Sequence, residues 1–467
     1  MQTEKRKNDM TEGKPLKLIL AFSIPLLLGN VLQQMYNLVD TIVVGNFAPN
    51  PEDCIAAVGI SMPIMFLMTS FFLGIGQGAT IIISQFFGAR DEKAIKKAVD
   101  TIYIFLFVVS VPLSIIGVIA SGPILELINT TKGNIFDNAS VYLIVMCIGI
   151  LPSFGFNINS GIMQGIGNSK ISLLFLGIAT AVNIILDLLF VAVFGWGVFG
   201  VAVATVIAQA VSFVVGIIYI NKKDYGFKIS IKNLSFDWSI LKNIAKLGLP
   251  GGIQNALFSV GMITLTSLIN TITETYPRFS AAFTIAQKVD SFAFLPIVSF
   301  SVAITAYVGQ NIGAGKLDRV KKGVRTTIIL SAIASVAICA VVLPLSEPLI
   351  RLFSQDPDVI DFAQGYLFRM LPFMSILAAH FIIGNALRGA GQSIIPLFAS
   401  MIGLWGARLP AAYILAHFFP DNPANIFFSF VFGWILGLLP VSIYYYGGWW
   451  KKRAFQFVKP GSDADTV

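Results

Sequence analysis

The chain has 467 residues, of which 56% are hydrophobic and only 12% are charged, and its mean hydropathy is +0.79. Soluble domains carry about 25% charged residues, so this chain has too little polar side chain to cover a fold in water. The composition therefore excludes disordered, secreted disulfide-rich and fibrous proteins, and it indicates a polytopic membrane protein.

Twelve segments are long and apolar enough to span a bilayer, because a hydrocarbon core of ~30 Å needs about 20 helical residues. Their centres lie at Leu28, Phe66, Phe107, Ile150, Leu186, Ile207, Phe258, Leu295, Ala334, Ile376, Leu404 and Phe432. The longest connection, 221–246, is too short for a soluble domain. The first residues include Lys5, Arg6 and Lys7 and no cleavage site, which predicts a cytoplasmic N-terminus without a signal peptide.

The basic residues are distributed unequally between the two sides of the predicted membrane. Of the 32 Lys and Arg residues, 26 lie in the two tails and in alternate connections, whereas the opposite connections hold only Lys132, Arg278 and Arg351. This positive-inside pattern predicts a multi-pass protein of the bacterial inner membrane with both termini in the cytoplasm. It also accounts for the net charge of +8 without a nucleic-acid partner.

Few side chains suit catalysis or metal binding. The three cysteines, Cys54, Cys147 and Cys339, have no paired spacing, and the two histidines, His380 and His417, lie far apart. The HExxH and GxSxG motifs do not occur. We therefore expect no disulfide framework, no metal centre and no enzymatic activity.

The chain repeats itself at an offset of 225 residues. Pro25 aligns with Pro250, and the stretch SQFFGARDEKAIKKAV reappears as VGQNIGAGKLDRVKKGV; at an offset of 224, QGIGNSK matches RGAGQSI. Six spans in each half predict an all-α polytopic membrane protein with twelve transmembrane helices in two six-helix lobes, related by a parallel internal repeat around a central cavity. The predicted domains are an N-terminal lobe at 1–220, a cytoplasmic linker at 221–246, a C-terminal lobe at 247–447 and a cytoplasmic tail at 448–467.

Several of these motifs resemble the multidrug and toxic compound extrusion (MATE) family, bacterial multidrug exporter branch. They are Pro25 with GNVLQQMYNLVDTIVVG, the loop QFFGARDEKAIKKAV, the QGIGNSK loop, the NIILD segment and the GLP opening at Gly248. The resemblance covers essentially the whole chain and implies a V-shaped antiporter that exports lipophilic, mostly cationic organic compounds in exchange for protons or sodium ions. A lipid-linked oligosaccharide flippase of the same superfamily is the alternative, for which more spans and a strongly cationic cavity are expected. The expected partners are small organic cations and the lipid bilayer, the expected state is a monomer, and no cofactor other than the coupling ion is expected.

Three carboxylates, those of Asp40, Asp187 and Asp290, lie within apolar segments. Placing an acid at the bilayer centre costs at least ~2.5 kcal/mol, so each is a candidate functional residue. The alternative for each is a carboxylate satisfied by a neighbouring helix or placed near the wet interface.

Polar residues accompany two of these acids at helical spacing. Asn183 precedes Asp187 by one turn, and Asp40 ends a stripe on one helical face that consists of Asn30, Gln33, Asn37 and Asp40. The family resemblance implies a cation pocket in the N-terminal lobe at Asp40, Asn157, Asn183, Asp187 and Thr205, with Tyr36 as a further member. Hard oxygen ligands suit sodium, whereas two nearby carboxylates in a dry site would hold one proton between them. The sequence does not choose between the two ions.

The second half lacks this pattern. At the offset of 225 the stripe becomes Asn255, Phe258, Met262 and Leu265, and at an offset of 224 Asp187 becomes Ala411. This half carries Asp290 instead, at the position of Met65 in the first half, with Gln287 one turn earlier. The resemblance implies that Asp290 is a counter-charge for cationic substrates, and Gln287 and Met65 are further substrate-binding candidates, because flexible thioethers suit promiscuous cavities. Lys288 could snorkel toward Asp290 and weaken that role.

Overall fold

Helices form every regular element of the part of the chain that the structure describes. The computed structural model describes residues 8–128, 130, 132–223, 225–230 and 233–454. The helices are α1 (Pro15–Phe47), α2 (Pro51–Gly88), α3 (Glu92–Leu127), α4 (Asn134–Ile148), α5 (Ile150–Gly165), α6 (Ser169–Val193), α7 (Gly197–Lys222), α8 (Trp238–Thr275), α9 (Phe279–Gly313), α10 (Leu317–Val342), α11 (Ser346–Arg351), α12 (Pro357–Gly389), α13 (Ile394–Phe418) and α14 (Pro423–Tyr446). Within the described ranges, eleven helices are each long and apolar enough to cross a bilayer, and α4 and α5 together form a twelfth candidate span. All twelve predicted centres fall within these spans, so the predicted fold class is confirmed.

The fourth span is broken between α4 and α5, whose axes differ by 53°. The break lies at Gly149, where a Cβ atom would come within 2.9 Å of the Val206 side chain on α7. Glycine is therefore needed for the close approach of this bend to α7. Both segments of the broken span pack against α7, the helix that carries Thr205.

The same type of turn closes equivalent helices in both halves. Arg90 after α2 and Gly315 after α9 have φ values of +60° and +71°, and Gly167 after α5 and Gly391 after α12 both have +84°. In each case the backbone N–H donates to the carbonyl three residues earlier. A left-handed residue at this position is the usual way to terminate a helix. The sequence repeat is therefore also a repeat of local structure.

The chain divides into two compact units. The first contains Leu28–Gly252, and the second contains Asp9–Leu27 together with the chain from Ile253 onward. The beginning of α1 thus packs in the second unit, where the Met10 N–H donates to Gln310 Oε1 at 2.9 Å.

The segment predicted to link the two lobes packs as part of the first unit. Asp100 on α3 is fully buried, forms an ion pair with Lys96 at 2.7 Å, and accepts hydrogen bonds from the N–H and hydroxyl of Ser235 in this segment. Of the predicted cytoplasmic tails, residues 1–7 and 455–467 lie outside the described residues.

Apolar packing sets the rotation of α1 in the first unit. Val43 and Val44 are buried in a cluster with Tyr142 on α4 and with Val198 and Val201 on α7. In a helix, residues three and four apart share a face. Asp40 therefore lies on the same side of α1 as these valines, which face the interior of the unit.

A cluster of aromatic rings holds Tyr366 of α12 in the second unit. Its ring lies 4.8 Å from Phe427 and 5.8 Å from Phe430, both in edge-to-face arrangements. Such geometry is the favoured one for aromatic pairs. The cluster also includes Phe279 and Phe283 of α9, so it joins α9, α12 and α14.

Candidate functional site

Tyr36 and Asp40 lie one turn apart on α1, and both are half-buried in the first unit. The Tyr36 hydroxyl lies 3.1 Å from the Thr205 hydroxyl of α7, so one of the two donates a hydrogen bond to the other. Asn183 of α6 donates from Nδ2 to the same Thr205 oxygen at 3.4 Å. Thr205 therefore connects α1, α6 and α7 at one point.

The carboxyl groups of Asp40 and Asp187 lie close enough for their charges to interact. Asp187 is fully buried near the end of the regular part of α6. Two ionised carboxylates are both acceptors, so a hydrogen bond between them requires a proton. The pair is therefore complementary to a positive charge.

Four oxygen atoms at this position are buried without a hydrogen-bond partner among the described residues. They are Asp40 Oδ1, Asn183 Oδ1, Asp187 Oδ1 and Asp187 Oδ2. In addition, none of the ion pairs between described residues includes Asp40 or Asp187. A buried acceptor without a donor costs about 1–3 kcal/mol, and more when it is charged. Carboxylate, amide and hydroxyl oxygens together are a donor set for a hard cation.

A π-helical segment, Leu188–Val193, begins immediately after Asp187. The wider turn changes the α-helical hydrogen-bond pattern, and such bulges occur frequently at functional sites. No feature of the sequence indicated it. A second π-helical segment, Ile402–Arg408, ends at a buried arginine in the second unit.

One residue of the predicted N-terminal site lies apart from the acids, and one residue close to the acids was not predicted. The Asn157 side chain is exposed and donates to the Ser153 carbonyl at 2.8 Å, so no described contact joins it to the acids. Tyr142 of α4 is buried and lies close enough to Asp40 and Asp187 to interact with both charges. Helical spacing could not identify Tyr142, because this residue lies on a different helix from either acid.

The residues of the predicted polar stripe on α1 differ in their burial. Gln33 and Asn37 are exposed, whereas Asp40 is half-buried. Tyr36 and Asp40 rather than the full stripe therefore face the other site residues. On α2, the substrate-binding candidate Met65 is buried in the first unit, whereas Met62, one turn earlier, is exposed.

Asp290 in the second unit is half-buried and accepts a hydrogen bond from the Tyr366 hydroxyl at 3.2 Å. The Arg408 guanidinium of α13 lies close enough for the opposite charges to attract each other. Lys288 points elsewhere, with its ammonium group 5.4 Å from the centre of the Phe353 ring. The positive charge close to Asp290 is therefore that of Arg408, whereas the sequence suggested only that Lys288 could snorkel toward Asp290.

Gln287 is half-buried on α9, one turn before Asp290. Its spacing is consistent with the face predicted for substrate contact. Met65 belongs to the first unit, where its backbone carbonyl accepts a hydrogen bond from Thr69 at 2.7 Å.

Similarity to a known protein family covers the residues of both candidate sites. The family model described as MatE matches residues 25–189 and again residues 250–414. These two stretches are related by the offset of the internal repeat, and together they include the acids of both units.

Relatives and solved structures agree with this match. The probable multidrug resistance protein YoeA of Bacillus subtilis (strain 168) is 29% identical over 445 residues, which cover 94% of this chain and 95% of the relative. The probable multidrug resistance protein NorM of Thermotoga maritima is 28% identical over 450 residues, which cover 94% of each chain. A structure described as the outward-facing conformation of a multidrug resistance MATE family transporter of the MOP superfamily has a TM-score of 0.88 at 23% identity. It covers 98% of this chain and 100% of the solved chain. The likeness supports the same fold for this chain.

Proposed function

The chain belongs to the MatE family, and on this premise we propose that it is a secondary active antiporter. It exports lipophilic, mostly cationic organic compounds and takes up protons or sodium ions in exchange. The names of relatives such as YoeA and NorM, which are probable multidrug resistance proteins, support export of organic compounds.

One observation carries this proposal, namely the acid pair in the first unit. Four buried acceptor atoms around Asp40, Asn183 and Asp187 have no donor among the described residues. A bound sodium ion could contact several of these oxygens, and a bound proton would be shared between the two carboxylates. Without either ion the two carboxylates would repel each other in a medium of low dielectric constant. The site therefore favours one added positive charge.

Exchange requires that the bound cation change the packing of the unit. Asp40 is on α1 and Asp187 is on α6, while the Tyr36–Thr205 contact of 3.1 Å joins α1 to α7. A cation shared by the two acids draws α1 toward α6. Its release leaves repulsion between the acids and loosens the contact of α1 with α7. The two states of the cation thus favour two positions of α1.

The second unit supplies the charge for the organic substrate. Asp290 keeps one oxygen atom, Oδ1, without a partner among the described residues, although Tyr366 donates to the other. A cation that enters a cavity of low dielectric constant loses hydration, and an ionised carboxylate offsets part of that cost. We assign Asp290 this role, with Gln287 on the same face.

The direction of transport follows from the orientation in the membrane. The positive-inside pattern places both termini in the cytoplasm of a bacterial cell. A coupling ion that moves inward down its gradient then drives the organic compound outward.

Flux in proteoliposomes tests the proposal. The purified chain is reconstituted, and movement of rhodamine 123 is followed while a proton gradient and a sodium gradient are imposed separately. We expect one gradient to drive the dye against its own concentration difference, with no such movement in liposomes that lack the protein. Dye movement that follows neither gradient would contradict antiport.

A further inference from the structure

We propose that the second unit contains a two-charge binding site, formed by Asp290 and Arg408, which selects zwitterionic amphiphiles over simple cations. The inference rests on the proposed export function and specifies its substrate class. Each of the two residues in this site has one polar atom that no described residue satisfies.

The Arg408 side chain is nearly fully buried, with 5% of its surface exposed. Its guanidinium carbon lies 3.3 Å from the centre of the Phe430 ring, and Nη2 contacts the Met262 sulfur at 3.3 Å. A thioether is a weak acceptor. Nε has no partner among the described residues. The arginine therefore retains the capacity to donate to an oxygen ligand from the edge of its guanidinium plane.

Asp290 retains the complementary capacity. Tyr366 donates to Oδ2 at 3.2 Å, and Oδ1 has no partner in the described chain. One aromatic cluster joins the two groups: the Phe430 ring beneath the Arg408 guanidinium lies 5.8 Å from the ring of Tyr366, whose hydroxyl contacts Asp290. No ion pair within 4.0 Å joins Arg408 and Asp290 among those formed by described residues.

These contacts decide which ligand the site fits. An ion pair in direct contact would neutralise both charges, whereas each of these two groups keeps one polar atom without a partner among the described residues. A simple cation would satisfy Asp290 and would be repelled by Arg408. A molecule that carries both an amine or iminium donor and a carboxylate would satisfy both residues, because Arg donates readily to carboxylates.

A pair of dyes tests this selectivity. Rhodamine 110 is zwitterionic, and rhodamine 123 is its methyl ester, which keeps the cationic ring system and lacks the carboxylate. Fluorescence anisotropy in detergent gives the affinity of the full chain for each dye. We expect the wild type to bind rhodamine 110 at least tenfold more tightly than rhodamine 123.

Two substitutions should move this affinity ratio in opposite directions. Arg408→Met removes the anion-binding group and should lower the preference for rhodamine 110 at least tenfold. Asp290→Asn should weaken the binding of both dyes. It should also raise the preference for rhodamine 110, because the positive charge of Arg408 is then unbalanced. A merely structural role of either residue would not produce opposite shifts.

Arg369→Met is the matched control for loss of an arginine. Arg369 lies in the same unit over the Phe428 ring, but its guanidinium donates to Asn425 Oδ1 and to the Gly365 carbonyl. Its substitution should leave the ratio unchanged.

The wild-type measurement keeps the inference falsifiable even if Arg408→Met does not fold. Binding of rhodamine 123 with weaker or no binding of rhodamine 110 would overturn the two-charge site and leave the export function standing. Failure of the wild type to bind either dye would overturn both. Equal shifts in both substituted proteins would also contradict the inference.

Discussion

The hydroxyl groups of Tyr36 and Thr205 lie 3.1 Å apart, and this contact joins α1 to α7 beside the acid pair of the first unit. The two residues are 169 positions apart in the chain. Their contact places a hydrogen bond between the helix that carries Asp40 and the helix that packs along α6. A movement of α1 away from α7 would stretch or break this bond.

Replacing Tyr36 with Phe removes that bond and keeps the ring. Loss of one hydrogen bond of this kind costs about 1 kcal/mol, which corresponds to roughly a fivefold change in an equilibrium constant. We expect the concentration of coupling ion needed for half-maximal dye export to rise severalfold. Tyr276→Phe is the control, because the Tyr276 hydroxyl donates to the Pro420 carbonyl in the second unit. If Tyr36→Phe and Tyr276→Phe both leave the ion dependence at the wild-type value, the Tyr36–Thr205 contact has no part in coupling.

The sequence could predict the twelve spans because each is a long apolar segment bounded by charged connections. It could also place Asn183 and Asp187 on one face, since the spacing of four residues fixes their side of one helix. Helical spacing gives no information about which neighbouring helix a face meets. For that reason the sequence could not tell that Asp40 is half-buried while Gln33 and Asn37 of the same stripe are exposed.

For the same reason, the sequence could not predict contacts between distant segments of the chain. Tyr366 lies 76 positions from Asp290, and only packing of α12 against α9 brings its hydroxyl within 3.2 Å. Lys288 is two positions from Asp290, but a helix turns about 100° per residue, so the two side chains leave the helix on different sides. Arg408 is far from Asp290 in the chain, and only the fold brings the two charges close enough to interact.

Asp290→Asn should weaken the binding of a cationic dye such as rhodamine 123. A charged hydrogen-bonding partner contributes about 1.5–3 kcal/mol, and solvent in a half-exposed site reduces that value. We therefore expect a loss of tenfold or more in affinity, measured by fluorescence anisotropy in detergent. An unchanged affinity would show that Asp290 is not a counter-charge.

Lys288→Met should have little effect on the affinity for rhodamine 123. The Lys288 ammonium group lies over the Phe353 ring, and its side chain is exposed. In a double-mutant cycle with Asp290→Asn, distant or unconnected side chains give additive effects within about 0.5 kcal/mol. A coupling energy well above that value would place Lys288 next to Asp290 during binding.

The proposed orientation predicts which connections a cytoplasmic reporter can reach. Arg278 and Asp356, which lie in two connections assigned to the outside, form an ion pair at 2.7 Å, as expected for loops on one side of the membrane. A reporter that is active only in the cytoplasm should be active when fused after Lys452 and inactive when inserted after Asp356. The reverse pattern would refute the orientation.

The central claim, that the acid pair of the first unit couples ion uptake to export, is tested most directly by Asp187→Asn in proteoliposomes. Asp187 is fully buried, and neither of its carboxylate oxygens has a hydrogen-bond partner among the described residues. Asp100→Asn is the matched control, because Asp100 is equally buried but is paired with Lys96 at 2.7 Å. We predict that Asp187→Asn still binds rhodamine 123 in detergent and no longer accumulates it under the driving gradient, while Asp100→Asn retains gradient-driven accumulation. Accumulation by Asp187→Asn at the wild-type rate would contradict the account.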